Sequence, residues 1–516
     1  MRAIGGVIRW QTKSGLLTKF MGRYRMFKNT ADSLSICLRK SNPRSSRSRT
    51  SRRALSCLAL FSLCAATSIA SPAQTFRTLV TFPGPNNGSG PNEPLIQGTD
   101  GRFYGTTSYG AGTIFKVTAG GILTNLYNFC SQPKCADGSL PTGALVQAAD
   151  GDFYGTTRGG GSANGNNEIP QGTVFKISTE GVFTSLHTFI GSDGAEPNGG
   201  LVQGSDGDLY GTTTAGGGDK SVGTIFKIAS TGALTTLYAF PSTGSQGRRP
   251  SGALVQGSNG NFYGDTSSGG GTGCTNNEGC GTVFEVTPSG TVTTLAILEE
   301  PDGQPLSSLA LGTNGNLYGT ATAPQVGAVF EVTPEGALST IYTFEGGSGG
   351  ENPEGGLVLG TDGNFYGTTA AGGRHCGNFP NESCGTVFEL SPSGTLTSLH
   401  IFTGTTDGSD PTTTLMQSTN GTFYGLTSTT IFSVSTGLGP FVIPQPALGA
   451  IGKKVTILGT NLTGTTAVSF NGTPATFTAN GSAIDTTVPA GATTGTITVT
   501  TSSGTLSSNV VFTVTD

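Results

Sequence analysis

The chain has 516 residues, with 84 glycines, 34% apolar residues and 27 basic against 31 acidic side chains. Fourteen of the bases but a single acid, Asp32, fall in residues 1–73, so the remainder carries 13 bases against 30 acids, a net charge of −17. A body that acidic repels phosphate backbones, which argues against nucleic acid as a partner.

In chain order, a basic stretch ending at Arg52-Arg53 is followed by an uncharged run at 54–70 and small residues at 68–73, the layout of a secretory signal. The run sits at the lower limit for crossing a bilayer. Residues 1–73 are therefore read as a leader and the mature chain as free of a membrane span, destined for secretion, the cell surface or the periplasm. Cys37, Cys57 and Cys64 leave with the leader. The other six cysteines form close pairs, Cys130/Cys135, Cys274/Cys280 and Cys376/Cys384, which predicts three disulfides in an oxidising compartment. Metal ligation is the alternative, but no pair has a second pair beside it or well-placed histidines, His375 next to Cys376 standing alone.

From Tyr104 onward the string Asp/Asn-Gly-x-Phe/Leu-Tyr-Gly occurs seven times, at Tyr104, Tyr154, Tyr210, Tyr263, Tyr318, Tyr366 and Tyr424, with spacings of 48 to 58 residues. A period of that size marks a repeat architecture. Each unit divides into four strand-length pieces, as at 201–204, 209–213, 223–228 and 234–240. The Asp/Asn-Gly pair predicts a type I′ turn between the first two. The third piece reads Gly-Thr/Ala-Val/Ile-Phe in six copies, and the fourth alternates apolar and polar residues. First-to-second and third-to-fourth connections are tight. Fourth-to-first connections are long and carry a proline four residues before the next leucine (Pro91, Pro141, Pro197, Pro250, Pro305, Pro353, Pro411). A chain returning from the outer edge of one sheet to the inner edge of the next needs that length, which is propeller connectivity.

The seventh unit stops at Val434 without its fourth strand, whereas residues 75–82 have that strand's pattern. An open stack would leave strand edges exposed at both ends. The expected fold is therefore all-β: a seven-bladed β-propeller over 74–436, closed by an N-terminal strand and followed by a smaller domain over 437–516. Through the seven motif copies and Gly-Leu-Val at 200–202 and 356–358, the region resembles the GloVer tandem repeat of exported bacterial proteins. The resemblance implies a secreted or surface setting and carries over no reaction.

After Gly437, the segments 454–458, 467–470, 475–477, 484–488, 495–500 and 510–514 alternate as short strands and predict an immunoglobulin-like β-sandwich. The pieces 452–462, 468–472 and 488–491 resemble the IPT/TIG domain, which implies a spacer, adhesive unit or stalk.

For chemistry, the long loops and all six retained cysteines fall on one face, the expected ligand face, while the tight-turn face is expected to be featureless. Acids recur on the loop face, and Asp137, Asp193, Asp302, Glu351 and Asp407 are the candidate ligand-binding residues. Converging on a channel they would offer oxygen ligands to Ca2+ or the paired carboxylates of a glycosidase; alternatively each makes its own turn. No contiguous calcium loop is present, so no cofactor or metal is expected. His187 and His400 occupy the fourth-strand position of Tyr127, Tyr238 and Tyr342, which points to packing, as does the presence of the motif tyrosine in every unit. The expectation is a monomeric, non-enzymatic binding or scaffold protein for an extracellular glycan or protein, with a secreted carbohydrate-active hydrolase or lyase, or a structural adhesion protein, as the alternatives.

Overall fold

The computed structural model describes residues 74–515 except 83–87, 163–169, 219–220, 244–245, 272–278, 300–302, 323–325, 374 and 377–378. The expected leader, Asp302 and Cys274 lie outside the described residues. Strands dominate, and the helical elements among the described residues are two 3-10 turns, Pro133–Cys135 and Gly347–Gly349.

Seven antiparallel sheets of four or five strands are built from the repeats. The first consists, in spatial order, of Ile96–Gln97, Phe103–Thr107, Thr113–Val117 and Leu123–Asn128. Its first hairpin shows what the motif encodes. Gly101 N donates to Gly98 O at 2.9 Å and Gly98 N to Arg102 O at 2.8 Å, so the turn centres on Thr99 and Asp100 and is followed by Gly101 at φ 77°. At all seven tips the glycine alone takes a positive φ. The turn is thus a three-residue loop with a glycine bulge in place of the expected type I′ turn. Asp100 closes it by accepting from Arg102 N at 3.0 Å and from the Tyr104 hydroxyl at 2.9 Å.

The choice of Asp or Asn at the tip follows the third strand. Asp150 and Asp206 face Lys176 and Lys227 at 3.2 and 3.0 Å, whereas Asn259 and Asn314 donate to Glu285 and Glu331 at 3.1 and 3.3 Å. A carboxylate at the tip is neutralised by a lysine, and a glutamate opposite is met by an amide, so like charges are avoided. Sheet six departs from this pattern, pairing Asp362 with Glu389, whose carboxyl is pushed up by burial and by the Asp362 charge.

The glycine after each tyrosine has a packing cause: a Cβ on Gly155 would stand 2.6 Å from Phe175 Cζ and 2.9 Å from Leu145 Cδ2. Only a bare backbone lets the third strand's phenylalanine lie across the second strand. The threonines flanking this crossing pair across strands, Thr157 with Thr173 and Thr213 with Thr224, both at 2.8 Å. Sheet five replaces both partners by Ala321 and Ala328, which leaves no orphaned hydroxyl.

Sheet seven joins the two ends of the repeat region. Thr75–Thr81 runs antiparallel to Thr430–Ser435, with Phe76 opposite Val434 and Thr81 opposite Thr430, and the order continues through Phe423–Leu426 to Met416–Gln417. Each sheet packs on the next through its motif tyrosine. Tyr104 meets Phe153 at 4.1 Å, Tyr210 meets Phe262 at 4.1 Å, Tyr366 meets Phe423 at 4.0 Å, and Tyr424 of sheet seven meets Phe103 of sheet one at 4.3 Å. Such ring pairs add roughly 0.5–1.5 kcal/mol each beyond the area they bury. The Gln97 amide also ties sheet one to Thr419 of sheet seven, accepting from its N–H at 2.9 Å and donating to its hydroxyl at 3.1 Å.

Beyond Ser435 the chain forms two four-stranded sheets. One orders Ile443–Gln445, Lys454–Leu458, Ala483–Thr487 and Phe477–Ala479; the other orders Thr473–Pro474, Ala467–Phe470, Ile497–Thr501 and Gly504–Ser507. Val455, Ile457, Ile484, Ile497, Val499 and Phe512 fill the space between them. The face carrying the tight turns is not featureless: this sandwich rests on it. Ser482 Oγ donates to Thr99 O at 2.6 Å, and the Thr419 and Thr460 hydroxyls meet at 2.6 Å.

Candidate ligand-binding cavity

Three of the five expected acids, Asp137, Asp193 and Asp407, accept hydrogen bonds within their own loops. Asp137, with 0% exposure, accepts from the hydroxyls of Tyr127 and Ser131, each at 2.8 Å, and from Ser131 N at 3.0 Å. Asp193 receives His187 Nε2 at 2.8 Å and Ile190 N at 3.0 Å. Asp407 receives Thr403 Oγ1 at 2.6 Å, Thr403 N at 3.0 Å and His400 Nε2 at 3.2 Å. Burial works against its charge, yet these donors hold the Asp407 carboxyl below its usual range, while burial lowers His400. The Tyr or His of the fourth strand thus braces the loop that follows it, one acid per loop. Glu351 is half-buried and pairs through its backbone with Ala371. Asp302 lies outside the described residues.

Cys130 and Cys135 are joined in the loop that Asp137 organises. Cys280 and Cys384 are also disulfide-bonded. Cys274 and the side chain of Cys376, the partners that spacing predicts, lie outside the described residues. Among the described residues no group of three or more His, Cys, Asp or Glu is placed to hold a metal ion, and no helix is long and apolar enough to cross a membrane.

A different set of residues does converge. The positions after each of the seven marker prolines line one cavity of about 130 Å³: triplets 92–94, 198–200, 251–253, 306–308, 354–356 and 412–414, with Ala144 alone after Pro141. Two features of the repeat bring them there. The leucine that follows each triplet is buried, from Leu95 to Leu415, and fixes the segment against its sheet. The first threonine of Tyr-Gly-Thr-Thr then ties the sheet to its neighbour's triplet, Thr320 donating to Gly355 O at 3.0 Å and Thr368 to Thr413 O at 3.0 Å.

The lining holds two charged residues, Glu93 and Glu354, and no Lys, Arg or His. Burial alone pushes the Glu93 carboxyl well up from its usual range; burial, then the Asp410 charge, raises Glu354. Behind the wall, Asp265 takes the threonine's place in sheet four. It is 2% exposed, accepts from the lining residue Ser251 at 2.7 Å through Oδ1, and leaves Oδ2 without a partner. Burial raises it to about 7. Of the cavity residues, only Glu354 stood near the acids singled out from sequence. The prolines at fixed distance before each leucine, and the x-Gly-Gly/Ala reading of the triplets at 142–144, 198–200, 251–253 and 354–356, were the available signal.

The repeats, their sheets and the appended sandwich define an all-β repeat protein with a C-terminal immunoglobulin-like module. The chain belongs to the Gloeobacter/Verrucomicrobia repeat family, whose model matches residues 64–277 and 272–438, and it carries an IPT/TIG domain at 443–514. No curated protein matches it. Among solved structures it is similar to a streptogramin B lyase (16% identity, 71% of this chain and 99% of that one, TM-score 0.49). It is also similar to a fungal alcohol oxidase of the AA5 family in complex with copper (12%, 86% and 99%, TM-score 0.45). A third similarity is to the extracellular domain of a protein assigned as a hybrid two component system of B. thetaiotaomicron (10%, 75% and 45%, TM-score 0.47).

Proposed function

We infer that residues 74–436 form a seven-bladed β-propeller closed by its N-terminal strand, exported behind a leader at 1–73 and joined to the IPT/TIG module at 437–516. The protein acts outside the cytoplasm as a non-enzymatic binding protein, and its ligand enters the cavity on the loop-bearing side. The pairing of Thr75–Thr81 with Thr430–Ser435 and the Tyr424–Phe103 contact support the ring. The observation that carries the functional reading is the meeting of all seven post-proline segments at one polar cavity. With the tight-turn side occupied by the sandwich, the loop side is the one left for a partner.

The test is an array of soluble glycans and small metabolites presented to the purified protein, with binding and product formation read together. Saturable binding without new products, abolished when the cavity is filled by Ala144→Trp, is the expected result. Turnover that needs Glu93 and Glu354 would favour the second reading, a carbohydrate-active hydrolase or lyase, for which the observation is that two glutamates share the cavity.

A further inference from the structure

We propose that the cavity selects a small ligand bearing a protonated amine, with the carboxylates of Glu93 and Glu354 as its counter-charge. The proposal rests on the cavity being the binding site and names the chemistry it prefers. Four observations lead to it. The only charges on the lining are these two carboxylates, so an anionic ligand would meet repulsion from every charged group present. Two further lining residues carry buried oxygens that lack partners, Asn92 Oδ1 and Thr413 Oγ1, the latter on a side chain only 3% exposed. An amide oxygen and a hydroxyl accept from N–H and O–H groups, which a hydroxylated amine supplies and an apolar ligand does not. Glu93 is half-buried and no basic side chain on the lining balances its charge, a cost that a bound ammonium offsets. Finally, about 130 Å³ suits a single ring, since an engineered cavity of roughly 150 Å³ holds benzene.

An ammonium fits better than a metal ion. A protein calcium site uses six or more oxygen ligands, several of them carboxylates, and no group of three acidic or His/Cys side chains is gathered for one among the described residues. Two carboxylates together with hydroxyls on the lining instead match a point charge with three donors.

The experiment is isothermal titration of the protein, expressed from its full chain, with glucosamine, glucose, N-acetylglucosamine and calcium chloride between pH 5 and 7, where the glucosamine amine stays protonated. Glucosamine should bind at least tenfold more tightly than the two neutral sugars. Affinity should rise with pH and protons should be released, because the ammonium lowers the raised Glu93 carboxyl on binding; heats compared across buffers of different ionisation enthalpy read this directly. Glu93→Gln and Glu354→Gln, which keep shape and remove charge, should each weaken glucosamine tenfold or more; if one does not fold, the other gives the result. Equal binding of glucose and glucosamine, unaffected by either glutamine variant, would overturn the amine preference while leaving the cavity as a site. No glucosamine binding would overturn it too, and a glycan still lost in Ala144→Trp would then show that only the charge argument had failed. Calcium that binds stoichiometrically and is not displaced by glucosamine would also overturn it.

Discussion

Replacing Asp265 by threonine should make the protein more stable, and increasingly so as pH rises. Asp265 is 2% exposed, and one of its oxygens has no partner. Its counterparts Thr320 and Thr368 donate a hydroxyl to the neighbouring sheet, which an ionised carboxylate cannot do. Burial raises the carboxyl from 3.8 to about 7, so between these values the folded protein holds a proton that the unfolded chain has released. Stability attributable to this group therefore falls as pH rises from about 4 and stops falling above about 7. At ~1.4 kcal/mol per pH unit the full loss is on the order of 4 kcal/mol. Urea unfolding of the wild type and Asp265→Thr across pH 4.5–8.5 isolates it, because other titrating groups cancel in the difference. The variant's advantage should be small at pH 4.5 and reach several kcal/mol at pH 8. A difference that does not change with pH would refute the reasoning, since burial of a charge would then not be its source.

Further expectations follow from the sheets and loops. Gly155→Ala would place a methyl 2.6 Å from Phe175 Cζ in a closed core and should cost about 1–3 kcal/mol, read as a lower denaturation midpoint. Thr157→Ala orphans Thr173, whereas the double change Thr157→Ala/Thr173→Ala recreates the Ala321–Ala328 pair of sheet five; the double variant should lose less than the sum of the single ones in a mutant cycle. Removing the Cys130–Cys135 bridge by a double serine substitution should cost about 2 kcal/mol, the entropy of so short a loop, and should leave the fold intact by circular dichroism.

The repeat was legible because its motif is a local hydrogen-bond unit: Asp100, Gly101 and Tyr104 make one turn, and every copy must spell it. The strand at 75–82 could be placed from what the seventh copy lacks. Turn type was misread because Asp-Gly serves both a two-residue turn and a glycine-bulge loop, and only backbone angles separate them. The loop acids were visible as a recurrence, but their use was hidden in the fourth strand, where Tyr127, His187 and His400 reach forward to Asp137, Asp193 and Asp407. The cavity was the least legible part. Its residues lie some 50 apart in sequence, share an x-Gly-Gly/Ala pattern in only four of the seven units, and become neighbours only through the sheet-to-sheet packing. The seat of the sandwich on the turn face was equally hidden, since it depends on single contacts such as Ser482 with Thr99.

Amide hydrogen exchange along residues 75–81, compared with the internal fourth strand Leu123–Asn128, tests the closed ring most directly. The account predicts that the two segments are protected to a similar degree and that the Thr430–Ser435 amides facing residues 75–81 lose protection when residues 74–82 are deleted. Exchange of 75–81 at the rate of an unstructured peptide, with Thr430–Ser435 indifferent to the deletion, would contradict it.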